Sequence, residues 1–344
     1  MNGYAQDDRE MRVAKQSRSV RNLCYWLAMT VLCMGVSAAH AQAPAFPSKP
    51  VRIIVAFPPG GGTDIVARVM APKLAELWGG QQAIVDNRAG ASGVIGTEAA
   101  ARAAPDGHTW LLGTMGNLTV NQHLYPKMPV DPQRDLTALT QVVAVHFVMV
   151  AHPSLPAKNV KELIALARAR PGQINYSSSG PGGAPHLGGE LLKSMAGIDL
   201  VHIPYKGSGP SFTDLLGGQV SLTFDSLLQA LPYIKAGRLN ALAVLGPKRS
   251  MLLPHVPTVA ESGVPGYELT NWFGLVVPAA TPRELIPRLY GDVSKVLAQA
   301  DVRDRIQSMG ADVVGSNPEQ FAAFMRGETA KWAKVIKQAN IRAE

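Results

Sequence analysis

Cysteine is almost missing from this chain. Only Cys24 and Cys33 occur in 344 residues, and both fall in an N-terminal stretch with the marks of an export signal. The polypeptide after that stretch has no thiol, which excludes disulfides, thiolate metal sites and cysteine nucleophiles together. Aromatic residues make up 6% and charged residues 17% of the sequence. No run of Lys and Arg with interleaved aromatics occurs. The formal net charge of +8 therefore reads as a solvated surface, with no nucleic-acid partner. Residues 1–41 hold five basic and three acidic side chains, so +2 of that charge lies there and +6 in the remainder. Several catalytic signatures are also missing. There is no G-x-x-x-x-G-K-[ST], no G-x-G-x-x-G after a strand, no G-x-S-x-G and no H-E-x-x-H, which argues against nucleotide binding, a nucleophile elbow and zinc hydrolysis.

What is present begins with the leader. A basic region ends at Arg21, and a mostly apolar run of 14 residues, Leu23 to Val36, follows. That run is too short to span a bilayer comfortably. Ala39-His40-Ala41 supplies small residues for cleavage before Gln42, so residues 1–41 read as a signal peptide and the mature protein as periplasmic. Met11 would give a more ordinary signal length. Cys33 follows Leu32, a poor lipobox, so a lipid anchor is not expected.

The whole chain is 47% hydrophobic, enough for a sizeable core in one large or two ordinary domains after the leader. Its organising stretch is VRIIVAFPPGGGTDIVARVMAPKLAELW, Val51 to Trp78. Val51, Ile53, Ile54, Val55 and Phe57 make a β-branched run suited to a buried strand. Pro58 to Gly62 end it, Thr63 reads as a helix N-cap, and Asp64 suits the first turn of the helix. Ile65, Val66, Val69, Met70, Leu74 and Leu77 recur at helical spacing. A glycine loop between strand and helix is either a tight turn or an anion site built from backbone N–H groups at a positive dipole end.

The same device recurs. Gln82–Val85 and Thr109–Leu112 read as strands, with a helix at about Val94–Ala103 between them. The end of the third strand opens into Gly113 to Asn117. Gln141–Val150 reads as one long strand and Val160–Ala169 as a helix. The strand at Gln173–Tyr176 runs into Ser177 to Gly183 before a helix from about Pro185 or His186. The strand at Leu200–Pro204 runs into Tyr205 to Gly209 before another helix. Strand VSLTF ends at Asp225. Strands at Asn240–Leu245 and Trp272–Val277 and helices at about Pro282–Gln299 and Pro318–Asn340 complete the reading. Such alternation implies a parallel, doubly wound sheet with ligands beyond the strands' carboxyl ends. Three glycine loops, at Gly60–Thr63, Ser177–Gly183 and Gly207–Gly209, suggest helix N-termini converging on a small anion.

Individual residues admit more than one reading. His186 and Glu190 share a helix face, but a third metal ligand is not in view, so no metal is expected. Ser178 or Ser179 could be nucleophiles with His186 as base; a hydroxyl-lined ligand loop fits better. Asp225 either caps a helix at Ser226 to Tyr233 or faces the ligand, accepting from an ammonium and disfavouring extra negative charge. Lys206, the one long cation in these loops, pairs with a carboxylate or is solvated. Trp272, Tyr205 and Phe57 wall the pocket or belong to the core.

The segments KPVRIIVAFPPGGGTDIVAR, VDNRAGASGVIGTEAAARAAPDGHT, INYSSSGPGGAPHL, IPYKGSGPSFTDLLGGQVSLTFD and LPHVPTVAESGVPGYE carry a resemblance from about Pro47 to the C-terminus. The chain resembles the receptors of tripartite tricarboxylate transporters, the Bug receptor family. The resemblance implies an α/β fold of the two-lobed, Venus-flytrap periplasmic-binding type, with crossover strands near His146–Val150 and Trp272–Val277. It implies a discontinuous first lobe (47–146 plus 273–344) and a second at 147–272. The implied function is capture of a small carboxylate and its delivery to inner-membrane transporter subunits by a monomeric, non-enzymatic receptor without a cofactor. A ligand-sensing partner of a membrane sensor kinase and a secreted serine hydrolase are the alternatives. Carried over, the ligand-binding residues are Phe57, Pro59, Gly60, Gly61, Gly62, Thr63 and Asp64; Thr114 and Asn117; Ser178, Ser179, Gly180, Gly182, Gly183 and His186; Tyr205, Lys206 and Gly207; and Asp225. The chain departs from the family at Gly183, where members often carry Ser or Thr.

Overall fold

The computed structural model describes residues 46–338 and 341–342; the leader at 1–41, with both cysteines, lies outside them. The opening stretch forms β1 (Val51–Val55) and α1 (Gly62–Leu77). There follow β2 (Ala83–Asn87), α2 (Val94–Ala101) and β3 (Thr109–Thr114). After a π-helical turn at Gly116–Val120 come the short helices α3 (Asn121–Leu124) and α4 (Pro132–Asp135), then β4 (Leu136–Val145). The middle of the chain holds β5 (Phe147–Ala151), α5 (Val160–Ala169), β6 (Asn175–Ser178), α6 (Ala184–Ala196) and β7 (Val201–Pro204). It continues through α7 (Ser208–Leu216), β8 (Leu222–Ser226), α8 (Leu227–Lys235) and β9 (Asn240–Val244). The last elements are β10 (Asn271–Pro278), α9 (Ile286–Leu297), α10 (Ala300–Ser308), β11 (Ala311–Val313) and α11 (Pro318–Gln338).

The strands form two sheets rather than one parallel sheet. The first has six strands in the order β11-β4-β10-β3-β1-β2, the second five in the order β7-β6-β8-β5-β9. Both are mixed. β1 pairs in parallel with β2 and β3, and β6 with β7 and β8. β10 lies antiparallel to β3 and β4, and β5 antiparallel to β8 and β9. In each sheet, therefore, a parallel trio is followed by an antiparallel strand that the chain delivers from the other sheet.

The two crossings are short. The strand expected over Gln141–Val150 is two strands in different sheets, broken at His146. The His146 N–H donates to Gly310 O at 3.2 Å, and its carbonyl accepts from Leu227 N at 2.8 Å. Its ring nitrogen Nε2 lies 2.8 Å from Asp312 Oδ2. An unbroken run of apolar residues carries no mark of this switch, because both halves are buried in a sheet. The return passes between Leu269, whose N–H reaches Leu245 O at 2.8 Å, and Asn271, which pairs with Val145. The crossover strand expected near Trp272–Val277 is β10, which belongs wholly to the six-stranded sheet, with the crossing just before it. The closing helix expected from Pro282 ends at Leu297, and α10 and β11 follow it; they had no counterpart in the sequence reading.

Each sheet has its own core. Trp78 meets Trp110 edge-on at 5.7 Å, and Trp272 meets Phe321 edge-on at 5.5 Å. The indoles of Trp272 and Trp332 both donate to Glu328 Oε2 at 3.2 Å, which satisfies a carboxylate buried under α11. Around β5 and β8, Val148, Val150, Phe212, Leu215, Leu227, Leu231 and Val244 form one buried cluster. Trp272 is core, not pocket wall.

Candidate functional site

The loop after β1 is held from behind. Gly60 takes a positive φ of 84° and donates its N–H to Asp64 Oδ2 at 3.0 Å. The same oxygen accepts from Arg68 Nε at 2.9 Å, and Oδ1 accepts from Asn87 Nδ2 at 3.0 Å. Asn87 Nδ2 also donates to Phe57 O at 3.0 Å. Burial works to raise the Asp64 pKa, but the donors Arg68, Gly60 and Asn87 outweigh it and hold the carboxyl below its ordinary value. Asp64 is a brace for the loop. Thr63 is not the N-cap. An extended Gly61 (φ −81°, ψ 166°) fills that place with no side-chain hydrogen bond to the helix, so the first turn keeps its N–H groups open.

Three more helices start at the same place. α6 has Gly183 as N-cap, α7 has Gly207 and α8 has Ser226, and none is closed by a side-chain hydrogen bond. A cavity of about 40 Å³ lies among these starts. From the six-stranded side it is lined by Phe57, Gly61, Gly62, Thr63, Thr114, Asn271 and Phe273; from the other by Phe147, Ser179, Gly183 to Pro185, Ser208, Asp225 and Ser226. No Lys, Arg or His is among the lining residues. Four helix N-termini without a side-chain cap surround a cavity lined by no cationic side chain, an arrangement whose amides and dipoles suit an anion, although the first N–H of α8, on Leu227, is taken by His146 O.

Several expected residues stand behind the wall instead. Asn117 is 1% exposed. Its Oδ1 accepts from Thr114 N at 2.8 Å and Thr114 Oγ1 at 2.9 Å, and its Nδ2 donates to Thr97 Oγ1 at 2.8 Å. Ser178 is fully buried; its Oγ lies 2.6 Å from His202 Nε2 and accepts from Gly180 N at 3.0 Å. His186 Nδ1 accepts from Gly182 N at 3.1 Å, and its ring stacks on His202 at 4.3 Å. Burial pushes His186 down to about 4, and burial followed by the neighbouring His186 pushes His202 down to about 3. Both rings are therefore neutral at pH 7 and serve as the floor of the Ser178–Gly183 loop. Ser178 lies buried off the cavity, whereas Ser179, the other serine named in the hydrolase reading, lines it.

Tyr205 donates its hydroxyl to Asp214 Oδ2 at 2.6 Å. Burial and that bond push the phenol up to about 12. It does not line the cavity, and Lys206 is exposed. Pro59, Gly60, Gly180, Gly182 and Gly207 shape the rim. A Cβ at Gly207 would meet Pro58 Cδ at 2.4 Å, one at Gly180 would meet Ser92 Oγ at 2.6 Å, and one at Gly182 would meet Asn121 Oδ1 at 2.6 Å. Tyr125 OH donates to Pro181 O at 3.4 Å. Loops of the two sheets thus touch across the cavity. A Cβ at Gly183 would lie 2.5 Å from Ser179 Oγ, so the glycine makes room for a hydroxyl that points into the site.

Asp225 is 2% exposed at the end of β8. Its Oδ2 accepts from Ser208 Oγ and its Oδ1 from Ser226 N, both at 2.6 Å. Burial pushes its pKa up to about 6. The helix behind it starts at Leu227 with Ser226 as N-cap, so Asp225 is not the cap. Sequence reading missed Phe147, Ser208, Ser226, Asn271 and Phe273. Ser208 and Ser226 carried a signal, since each opens a helix after a strand end. The two phenylalanines sit in apolar runs that look like core.

Known proteins resemble this chain in sequence and fold. Residues 66–341 match the model of the tripartite tricarboxylate transporter family receptor. The chain is 38% identical over 306 residues to protein BugT of Bordetella pertussis, covering 89% of this chain and 94% of that one. Among solved structures it resembles R. palustris Rpa4515 with adipate, with a TM-score of 0.84, 38% identity and coverage of 86% and 99% of the two chains. It also resembles MatC from Rhodopseudomonas palustris with bound malate, with a TM-score of 0.81, 31% identity and coverage of 85% and 100%. The fold is the two-domain α/β periplasmic-binding fold of those structures. The five sequence blocks, the paired mixed sheets and these matches agree: the chain belongs to the tripartite tricarboxylate transporter receptor family.

Proposed function

We propose that this protein is an exported receptor that closes two lobes over a small organic carboxylate and delivers it to the membrane subunits of a tripartite tricarboxylate-type transporter. The observation that carries this reading is the meeting of four helix N-termini, none with a side-chain cap, at a cavity lined by no cationic side chain. Amides and helix dipoles replace the water that a carboxylate loses on burial, and hydrogen bonds to a charged acceptor are the strong ones. Gly61 to Thr63 with Thr114 form one jaw; Ser179, Gly183, Ser208 and Asp225 form the other. The two lobes join at His146 and Thr270, and closure is a hinge motion favoured by ligand contacts on both sides. The basic and apolar leader read in residues 1–41 supports export of the mature protein to the periplasm. Two relatives in structure carry adipate and malate, both small dicarboxylates.

The test is calorimetry and thermal shift with aliphatic carboxylates of three to six carbons, alongside a turnover check. Stoichiometric stabilisation without turnover supports the receptor, and product formation overturns it. Delivery is tested by uptake of the bound acid in cells with and without the receptor. Fractionation of those cells, with immunoblotting, tests the periplasmic location.

A further inference from the structure

The cavity holds one ionisable side chain, and it has the sign of the ligand. Asp225 sits in the wall facing the helix starts, 2% exposed; Ser208 Oγ and Ser226 N donate to it, and the Ser226 side chain also opposes the rise in its pKa that burial causes. A carboxylate accepts at about four lone-pair positions on two oxygens, so these two bonds leave acceptor capacity unused. No lysine, arginine or histidine lines the cavity to neutralise it. In the same wall, Ser226 Oγ is buried with no aligned hydrogen-bond partner, 3.2 Å from where a Cβ would stand at Gly62. The site thus presents amide donors on the α1 and α6 starts, and an acceptor plus the Ser226 hydroxyl at the end of β8. An acceptor-only ligand takes the Ser226 hydroxyl hydrogen but leaves Asp225 facing like charge. A ligand with a donor next to its carboxylate satisfies both. A buried group built to receive a donor discriminates strongly against an analogue without one.

We propose that Asp225 makes this receptor select carboxylates that carry an amino or hydroxyl group, over unsubstituted aliphatic dicarboxylates of the same length. The inference rests on the carboxylate reading of the site. It adds a polarity to the cavity: ligand carboxylate toward Gly61 to Thr63 and Gly183, ligand donor toward Asp225 and Ser226. Ser208 is the positioning residue, because its hydroxyl fixes the carboxyl from the first turn of α7.

Matched acids test it. Isothermal titration at pH 7.5 on the mature protein, dialysed free of ligand, compares succinate, malate and aspartate, then glutarate, 2-hydroxyglutarate and glutamate. The expected result is that a substituted member binds at least about tenfold tighter than its unsubstituted partner. Asp225→Asn should shrink that gap to less than about threefold while leaving some carboxylate affinity on the helix starts. Should Asp225→Asn fail to fold, the wild-type ranking still decides. Equal or tighter binding of succinate and glutarate, or a preference unchanged in a folded Asp225→Asn protein, overturns the inference and leaves the carboxylate reading standing. If neither series nor longer carboxylates bind, the carboxylate reading falls and the inference with it.

Discussion

At the scale of single residues, the site depends on groups that never touch its contents. Asp64 binds three donors behind the first glycine loop. Asp64→Ala should lower stability by roughly 1–3 kcal/mol, the cost of leaving such donors unmet, measured by chemical denaturation. Arg68→Ala should cost less, because that partner's side chain is 54% exposed and solvent screens the pair. Gly207 has φ 148° and ψ 169°, a region closed to residues with a Cβ, and it packs on Pro58 of the opposite jaw. Gly207→Ala should therefore raise the ligand Kd by about tenfold or more, since strain there is on the order of 1–3 kcal/mol, measured by calorimetry. Neither role follows from residue type alone. Asp64 read as a dipole partner and a ligand contact, and Gly207 as part of an anion-binding glycine loop, until the opposing strands and loops were in place.

At the scale of elements, the start of α6 rests on two stacked histidines, and this makes a segment of the fold sensitive to acid. His186 and His202 have folded values of about 4 and about 3 against about 6.5 for a free histidine. Between those values the unfolded chain binds more protons than the folded one. Stability should thus be intact above about pH 6.5 and fall as pH drops toward 3. Asp225 has the opposite sign. Its value is raised to about 6, so its share of stability is present at low pH and is lost as pH rises through 6. Urea midpoints between pH 4 and 8 should show a steep acid limb in the wild type, flattened in His202→Gln. The helix starts make a second prediction. Buried dipoles are screened less than exposed charges, so the ligand Kd should change less than about threefold between 50 and 500 mM salt, measured by titration. The glycine-loop starts of α1, α6 and α7 were legible as strand-to-helix turns. The floor was not, because His202 lies on β7, a different βα unit from the one it supports.

At the scale of the whole molecule, two sheets exchange strands at His146 and Thr270, and their loops meet over the cavity. Pro58 against Gly207 and Ser92 against Gly180 make the contact on the rim. On the proposed receptor reading, parting of these contacts would admit a ligand, with the two short crossings as the hinge. Small-angle scattering of the ligand-free mature protein should give a larger radius of gyration than the carboxylate-bound protein. Gly207→Ala should keep the larger value at ligand concentrations that close the wild type.

The sequence by itself determined the alternation of strands and helices, the glycine-rich helix starts and the family blocks, because local periodicity and turn chemistry act over a few residues. Thr63, Thr114, Ser179 and Asp225 were found that way. Only the tertiary structure decided that Gln141–Val150 splits between two sheets, that Asn117, Ser178 and His186 are scaffolding, and that Phe147, Asn271 and Phe273 complete the wall. Those assignments turn on which strands become neighbours. That is settled by packing between elements that are not neighbours in sequence, on which local spacing is silent.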